Sequence, residues 1–111
     1  MQVKTQNYND VTVVELQGEL AQETIKIFQD ATSSVIAAGT TGMVIDMTKV
    51  GFIDSLGLEE LLRLRDYCRE NGCQLKLAGV EENCEKILEI TRLAPYFDIY
   101  DELANAVKSF V

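Results

Sequence analysis

The chain contains no histidine in 111 residues. It therefore lacks the commonest general base and the usual partner of cysteine at zinc. Cysteine is sparse and odd in number, with Cys68, Cys73 and Cys84 and no C-x-x-C spacing. That pattern argues against a disulfide framework and for a reducing compartment, where such thiols serve as small buried hydrophobes. Pro95 is the single proline, and there is no linker, repeat or low-complexity stretch. The apolar runs are far too short to cross a bilayer, and Met1 to Asp10 is polar and strand-like, unlike a secretory leader. A cytoplasmic location without membrane insertion is expected. Basic residues are few: 10 Lys and Arg face 18 Asp and Glu, for a net charge of −8. Nucleic acids and anionic membranes demand clustered cations, so neither is an expected partner. An acidic surface keeps the protein soluble and suits a protein partner with a basic face.

This length suggests one domain over residues 1–111, large enough to bury a core. Val11 to Leu16 is β-branched and partly alternating, which predicts a strand. Val3 to Gln6 predicts a weaker strand paired with it across a turn at Asn7 to Asp10. Gln22 to Ala38 has Ile25, Phe28, Ala31 and Val35 at helical spacing, with Gly39 as a stop. Met43 to Met47 is short and apolar, as in a strand covered on both faces. Gly57 to Asn71 predicts a helix burying Leu58, Leu61, Leu62, Cys68 and the stem of Arg65, ended by Asn71-Gly72. Gln74 to Ala78 predicts a strand. Glu81 to Thr91 predicts a helix with Cys84, Ile87 and Leu88 inward. Phe97 to Tyr100 predicts a last short strand, and Asp101 a cap for a final helix to Phe110. Strands alternating with helices give a small α/β domain. It has a mostly parallel central sheet, an antiparallel N-terminal edge hairpin and about four helices.

Function in such sheets gathers beyond the C-terminal ends of the strands, here the segment between Met47 and Gly57. Ser55 precedes a strongly periodic helix, where serine is a favoured cap. Helix N-termini carry about +0.5 of an elementary charge and accept anions. A phosphate on Ser55 would bring about −1.5 to −2 charges to that tip, uncrowded at Gly57, and would repel a partner docked over it. Plain N-capping is the simpler role for Ser55, and Asp54 can serve as a second capping acid. Phe52 and Ile53 either anchor the loop in the core or form an apolar contact patch.

The run Asp46-Met47-Thr48-Lys49-Val50-Gly51-Phe52-Ile53-Asp54-Ser55-Leu56-Gly57-Leu58 resembles the signature of the STAS domain, shared by sulfate transporters and anti-sigma factor antagonists. Gly18-Glu19-Leu20 resembles the family's Gly-x-Leu-Asp. Ile87 to Leu93 and Phe97 to Glu102 resemble the segments around its last strand. The resemblance implies a stand-alone antagonist that binds an anti-sigma factor serine kinase so that the sigma factor is released. It further implies that the kinase phosphorylates Ser55 from ATP, that the modified protein lets go, and that a serine phosphatase resets it. Asp46, Asp54, Leu56 and Gly57 would support the switch loop. The docking face would comprise Gly18, Glu19, Leu20, Phe52, Leu56, Glu59, Arg63 and Asp66. Two positions depart from the pattern: Leu56 replaces a second Ser/Thr, and Ala21 replaces the Asp after Gly-x-Leu. These departures favour the alternative of a phosphorylation-independent STAS adaptor subunit in a signalling or lipid-transport ATPase complex.

No enzyme is expected. Ser55 has no histidine to activate it, and neither G-x-G-x-x-G after a strand nor G-x-x-x-x-G-K-[ST] is present. Asp46 and Asp54 are the only magnesium candidates, and acids near a helix start more commonly cap or solvate. No cofactor or resident metal is expected, and the free protein is expected to be a monomer.

Overall fold

A computed structural model describes residues 1–110. The elements run β1 (Gln2–Tyr8), β2 (Val11–Gln17), α1 (Ile25–Ala37), β3 (Gly42–Lys49), α2 (Ser55–Glu70), β4 (Gln74–Ala78), α3 (Glu82–Ile90), a 3-10 turn (Ala94–Tyr96), β5 (Ile99–Tyr100) and α4 (Leu103–Lys108). The five strands lie side by side in sequence order. β1 pairs antiparallel with β2, and all other pairs are parallel. The expected α/β architecture with its antiparallel edge hairpin and four helices is what the chain forms.

Alternation along the strands explains the layering. In β2 and β3, Val14, Leu16, Met43, Ile45 and Met47 point to one face, where Phe28, Leu61, Leu64 and Leu88 from α1, α2 and α3 complete the main core. Val11, Val13 and Val44 point to the other face, under Ala106 of α4. Both faces being covered, these strands are apolar almost throughout, whereas the edge strand β1 is mostly exposed and polar.

Several boundaries differ from the expectation for physical reasons. β1 extends over seven residues because its whole length pairs with β2, leaving only Asn9-Asp10 as the turn, with Asn9 at φ 58°. α1 begins at Ile25 and not Gln22, because the Ala21 carbonyl accepts from the Thr24 and Ile25 N–H groups in a preceding turn. Its buried residues are Phe28, Thr32, Val35 and Ile36, so Thr32 and not Ala31 faces the core. The Thr32 hydroxyl can be buried because it donates to the Phe28 carbonyl at 2.9 Å. α2 begins at Ser55 and buries Leu64, which was not expected, while Leu62 and Arg65 are only half-buried. β5 is two residues long, because Ala94–Tyr96 coils into the 3-10 turn before it. α4 is capped at Glu102 and not Asp101, without a side-chain cap bond.

Candidate functional site

β3 ends where its register against β2 shifts: Glu15 pairs with Asp46 and Gln17 with Lys49. The chain then runs from Val50 to Asp54 with Gly51 and Phe52 exposed between two buried residues. Val50 and Ile53 are buried, and Phe52 is 43% exposed between them. Ile53 thus anchors the loop and Phe52 faces outward, so the two divide the roles open to them. The Cys84 thiol donates to the Val50 carbonyl at 3.2 Å, and the Asn83 amide to that of Gly51 at 3.3 Å, tying the loop to α3.

The segment from Gly18 to Gln22 lies alongside. The Gly18 N–H donates to the Lys49 carbonyl (3.1 Å), the Leu20 N–H to that of Phe52 (3.0 Å), and the Asp54 N–H to that of Leu20 (3.2 Å). Asp54 completes the brace with both carboxylate oxygens. Oδ1 accepts from the Gly57 N–H at 2.8 Å and Oδ2 from the Gln22 N–H at 3.0 Å. Asp54 is therefore the N-cap of α2, and Ser55, expected as the cap, is the first helical residue. A carboxylate reaches the helix with one oxygen and the neighbouring strip with the other, whereas a hydroxyl has a single oxygen to place.

Placing Ser55 one position inside the helix frees its side chain from capping, and it is exposed. Its own N–H and that of Leu56 find no protein acceptor among the described residues, as expected of a helix's first turn. The first turn carries no acidic residue. Leu56, next in the chain, is 38% exposed, so two large apolar side chains, Phe52 and Leu56, reach solvent within three residues of Ser55. Gly57 is buried for a reason other than leaving room for a group on Ser55. A Cβ there would collide with the Leu20 carbonyl oxygen and stand 2.9 Å from Ile53 Cγ2. Glycine lets the helix start lie directly on the Gly18–Gln22 strip.

The other candidates scatter. Glu19 is exposed on the strip, but Leu20 is fully buried and offers no contact surface. Gly18 sits at φ +122° with a Cβ position 3.3 Å from Met1 Cα, a turn that glycine alone takes easily. Glu59, Arg63 and Asp66 are all exposed on α2. Asp66, paired with Arg65 at 3.2 Å, lies about 16 Å along the helix axis from Ser55 at 1.5 Å per residue. Asp46 is not part of the Ser55 site. It points to the α4 side of the sheet, beside Glu15 and Leu103, and accepts from the Thr48 hydroxyl at 2.8 Å and the Thr48 N–H at 3.1 Å. With both carboxylates committed to their own turns, Asp46 and Asp54 do not form a joint magnesium site. No group of three or more His, Cys, Asp or Glu among the described residues could hold a metal.

One residue near this face escaped the sequence reading. Glu60 is buried, yet its carboxylate accepts from Arg63 Nε at 2.8 Å and Nη2 at 2.6 Å, and from Gln29 Nε2 at 2.8 Å. It fastens α1 to α2. The bond to Glu60 pushes the Arg63 guanidinium further above its ordinary value, against a partial desolvation. The i,i+3 spacing of Glu60 and Arg63 was visible, but the Gln29 contact from another helix was not. On the strip's other flank, the Lys49 ammonium at 3.0 Å holds the Glu15 carboxyl below its ordinary value.

Comparison with known proteins now adds a family. The model of the STAS domain matches residues 2–106. The fold is similar to an anti-sigma factor antagonist from Mycobacterium paratuberculosis, with TM-score 0.87 at 22% identity over 97% of this chain and 92% of that one. It is also similar to SpoIIAA, the Bacillus cell fate determinant. The phosphorylated form gives TM-score 0.75 at 17% identity over 99% and 100% of the two chains, and the unphosphorylated form 0.81 at 17% over 98% and 96%. No helix among the described residues is long and apolar enough to cross a membrane. With the family model spanning nearly its whole length, this chain belongs to the STAS domain family.

Proposed function

We propose that the protein is an anti-sigma factor antagonist switched by phosphate on Ser55. Unmodified, it docks on an anti-sigma factor serine kinase in the cytoplasm, and the kinase releases its sigma factor. The kinase transfers a phosphoryl group from ATP to the Ser55 hydroxyl, the antagonist dissociates, and a serine phosphatase restores it. The observation that carries this reading is the exposed Ser55 hydroxyl on the first residue of α2, next to unpaired N–H groups and behind a capping Asp54. The docking surface is the rim of Phe52, Leu56 and Glu19, continued along α2 by Glu59 and Arg63. An exposed Leu56 favours the adaptor alternative to this extent: it offers apolar area where a second hydroxyl would offer a polar contact.

The test is a titration of wild type, Ser55→Ala and Ser55→Glu against a serine kinase of the anti-sigma factor class, with site mapping after incubation with ATP. Wild type and Ser55→Ala should bind alike before ATP, Ser55→Glu at least tenfold more weakly, and phosphate should map to Ser55 alone. Equal affinities for all three proteins, with no phosphate incorporated, would leave the adaptor reading standing.

A further inference from the structure

The end of α2 remote from Ser55 holds two thiols that this site does not use. The helix closes in a Schellman turn. The Cys73 N–H donates to the Cys68 carbonyl at 2.8 Å and the Gly72 N–H to that of Arg69 at 3.4 Å, with Gly72 at φ +68°. In this motif the residue after the left-handed glycine packs its side chain against the third residue from the helix end. Here those two residues are Cys73 and Cys68, both buried in the same core cluster. A backbone hydrogen bond joins the two residues across the turn, and a disulfide needs Cα atoms roughly 4.4–6.8 Å apart.

The two thiols are not equivalent. Cys68 is wholly enclosed, and its contact with Cys73, followed by burial, pushes its thiol up. The neighbouring Cys68 thiol holds Cys73 below its ordinary value, against the opposing effect of burial. Cys73 also borders a cavity of about 500 Å³ that Arg65, Arg69, Thr41 and Gln74 help to line. Cationic neighbours and access from a cavity are what a reactive thiolate needs. Cys84 has neither: it donates to the Val50 carbonyl, and burial raises its thiol to about 11.

We propose that Cys68 and Cys73 form a reversible disulfide when the protein meets a hydroperoxide, with Cys73 as the attacking thiol and Cys68 as the resolving one. The Cys73 thiolate attacks the outer peroxide oxygen and the O–O bond breaks. The sulfur becomes a sulfenic acid, and the leaving alkoxide or hydroxide takes up the thiol's proton. Cys68 sulfur then attacks the Cys73 sulfur, the S–O bond breaks, and the hydroxyl leaves with the Cys68 proton as water. Two thiols and one hydroperoxide thus give one disulfide, one alcohol (water from hydrogen peroxide) and one water. The bridge would tie the C-terminal end of α2 to the start of β4 and leave Ser55 chemically untouched.

The full chain, fully reduced, is treated with stoichiometric hydrogen peroxide, then analysed by intact mass, thiol titration and peptide mapping. The expected result is loss of two hydrogen masses, a fall from three titratable thiols to one, a Cys68–Cys73 cross-linked peptide, and full reversal by dithiothreitol. Cys84→Ser should behave as wild type apart from its missing thiol. Cys68→Ser should stop at a Cys73 sulfenic acid that dimedone traps. An unchanged mass, stepwise oxygen addition without a cross-link, or a bridge that includes Cys84 would overturn the proposal. Wild-type thiol counting decides the matter even if Cys68→Ser does not fold.

Discussion

Gly57→Ala tests the geometry of the Ser55 site because two well-known effects push it in opposite directions. Helix propensity alone favours the substitution: alanine in place of glycine stabilises a helix interior by about 1 kcal/mol. Packing opposes it. The new methyl would collide with the Leu20 carbonyl oxygen, and Ile53 Cγ2 stands only 2.9 Å away. The first of these is backbone and cannot rotate aside. Relief requires the α2 start to move off the Gly18–Gln22 strip, lengthening the Asp54 N–H bond to Leu20 and the Gln22 N–H bond to Asp54. Overpacking in a filled core costs roughly 1–3 kcal/mol, and each weakened hydrogen bond up to about 1 kcal/mol more. Taking about 2 for overpacking and about 1–2 for the two bonds, and subtracting about 1 for propensity, the net destabilisation is about 2–3 kcal/mol. Urea denaturation measures it directly, with Gly51→Ala as the control, since nothing lies within 4 Å of a Cβ at Gly51. Gly51→Ala should fall within about 0.5 kcal/mol of wild type or slightly above it. A Gly57→Ala protein as stable as wild type would mean that the close approach of α2 to Leu20 is not what fixes the site.

Asp54→Ala should lose about 2–3 kcal/mol in the same assay, from the cap and from the bond to Gln22, while Asp54→Asn keeps an acceptor oxygen and should lose about 1. Arg63→Ala leaves the buried Glu60 carboxylate on Gln29 alone and should cost roughly 1–2 kcal/mol, a figure reduced because the Arg63 side chain is itself 43% exposed. Glu59→Lys, on the exposed face, should leave stability within about 0.5 kcal/mol of wild type, so its effect on the association rate at low salt reads docking without interference. Cys84 should make the protein sensitive to alkali. Its folded thiol titrates at about 11 against an ordinary 9.0, so the unfolded chain loses its proton first. The stability present below pH 9 then declines by up to about 2–3 kcal/mol as pH rises to 11, and Cys84→Ala, measured under reducing conditions, should remove that part of the slope.

The layers were legible because burial on two faces leaves a plain mark: Met43 to Met47 and Val11 to Leu16 are apolar in both directions of the pleat, and both are central strands. The stop at Asn71-Gly72 was equally plain. That the Asp-Ser-x-Gly-Leu run starts a helix was legible too. How that start is built was not. Local rules allow either Ser55 or Asp54 to cap α2, and what selects Asp54 is the Gln22 N–H, 32 residues earlier in the chain. The same blindness to partners placed Leu20 on the surface, when its backbone bridges to Ile53 and its side chain fills the core. It also passed over Glu60, whose burial is acceptable only because Gln29 of α1 and Arg63 satisfy it. Thr32 fooled the periodicity in a simpler way, since a hydroxyl bonded to the turn before it packs like an apolar side chain.

The magnitudes at the α2 tip decide what kind of switch Ser55 would be. A phosphate there meets two unpaired N–H groups, each charge-assisted bond contributing about 1.5–3 kcal/mol, and a helix dipole contributing about 0.3–1. Asp54 opposes it. Even at 4 Å, two unit negative charges in water repel by about 1 kcal/mol, or roughly 1.5–2 for an exposed phosphoserine. Attraction exceeds repulsion, so the group would settle on the helix end and not pry it open, and Asp54 would keep its hold on Gly57 and Gln22. The change then falls on the rim. Phe52 and Leu56 offer apolar area to a partner, and a dianion on the neighbouring Ser55 cannot be covered without losing its water. Release under this reading is a desolvation penalty imposed on the partner's side of the contact, and it requires no movement of the backbone that presents Ser55.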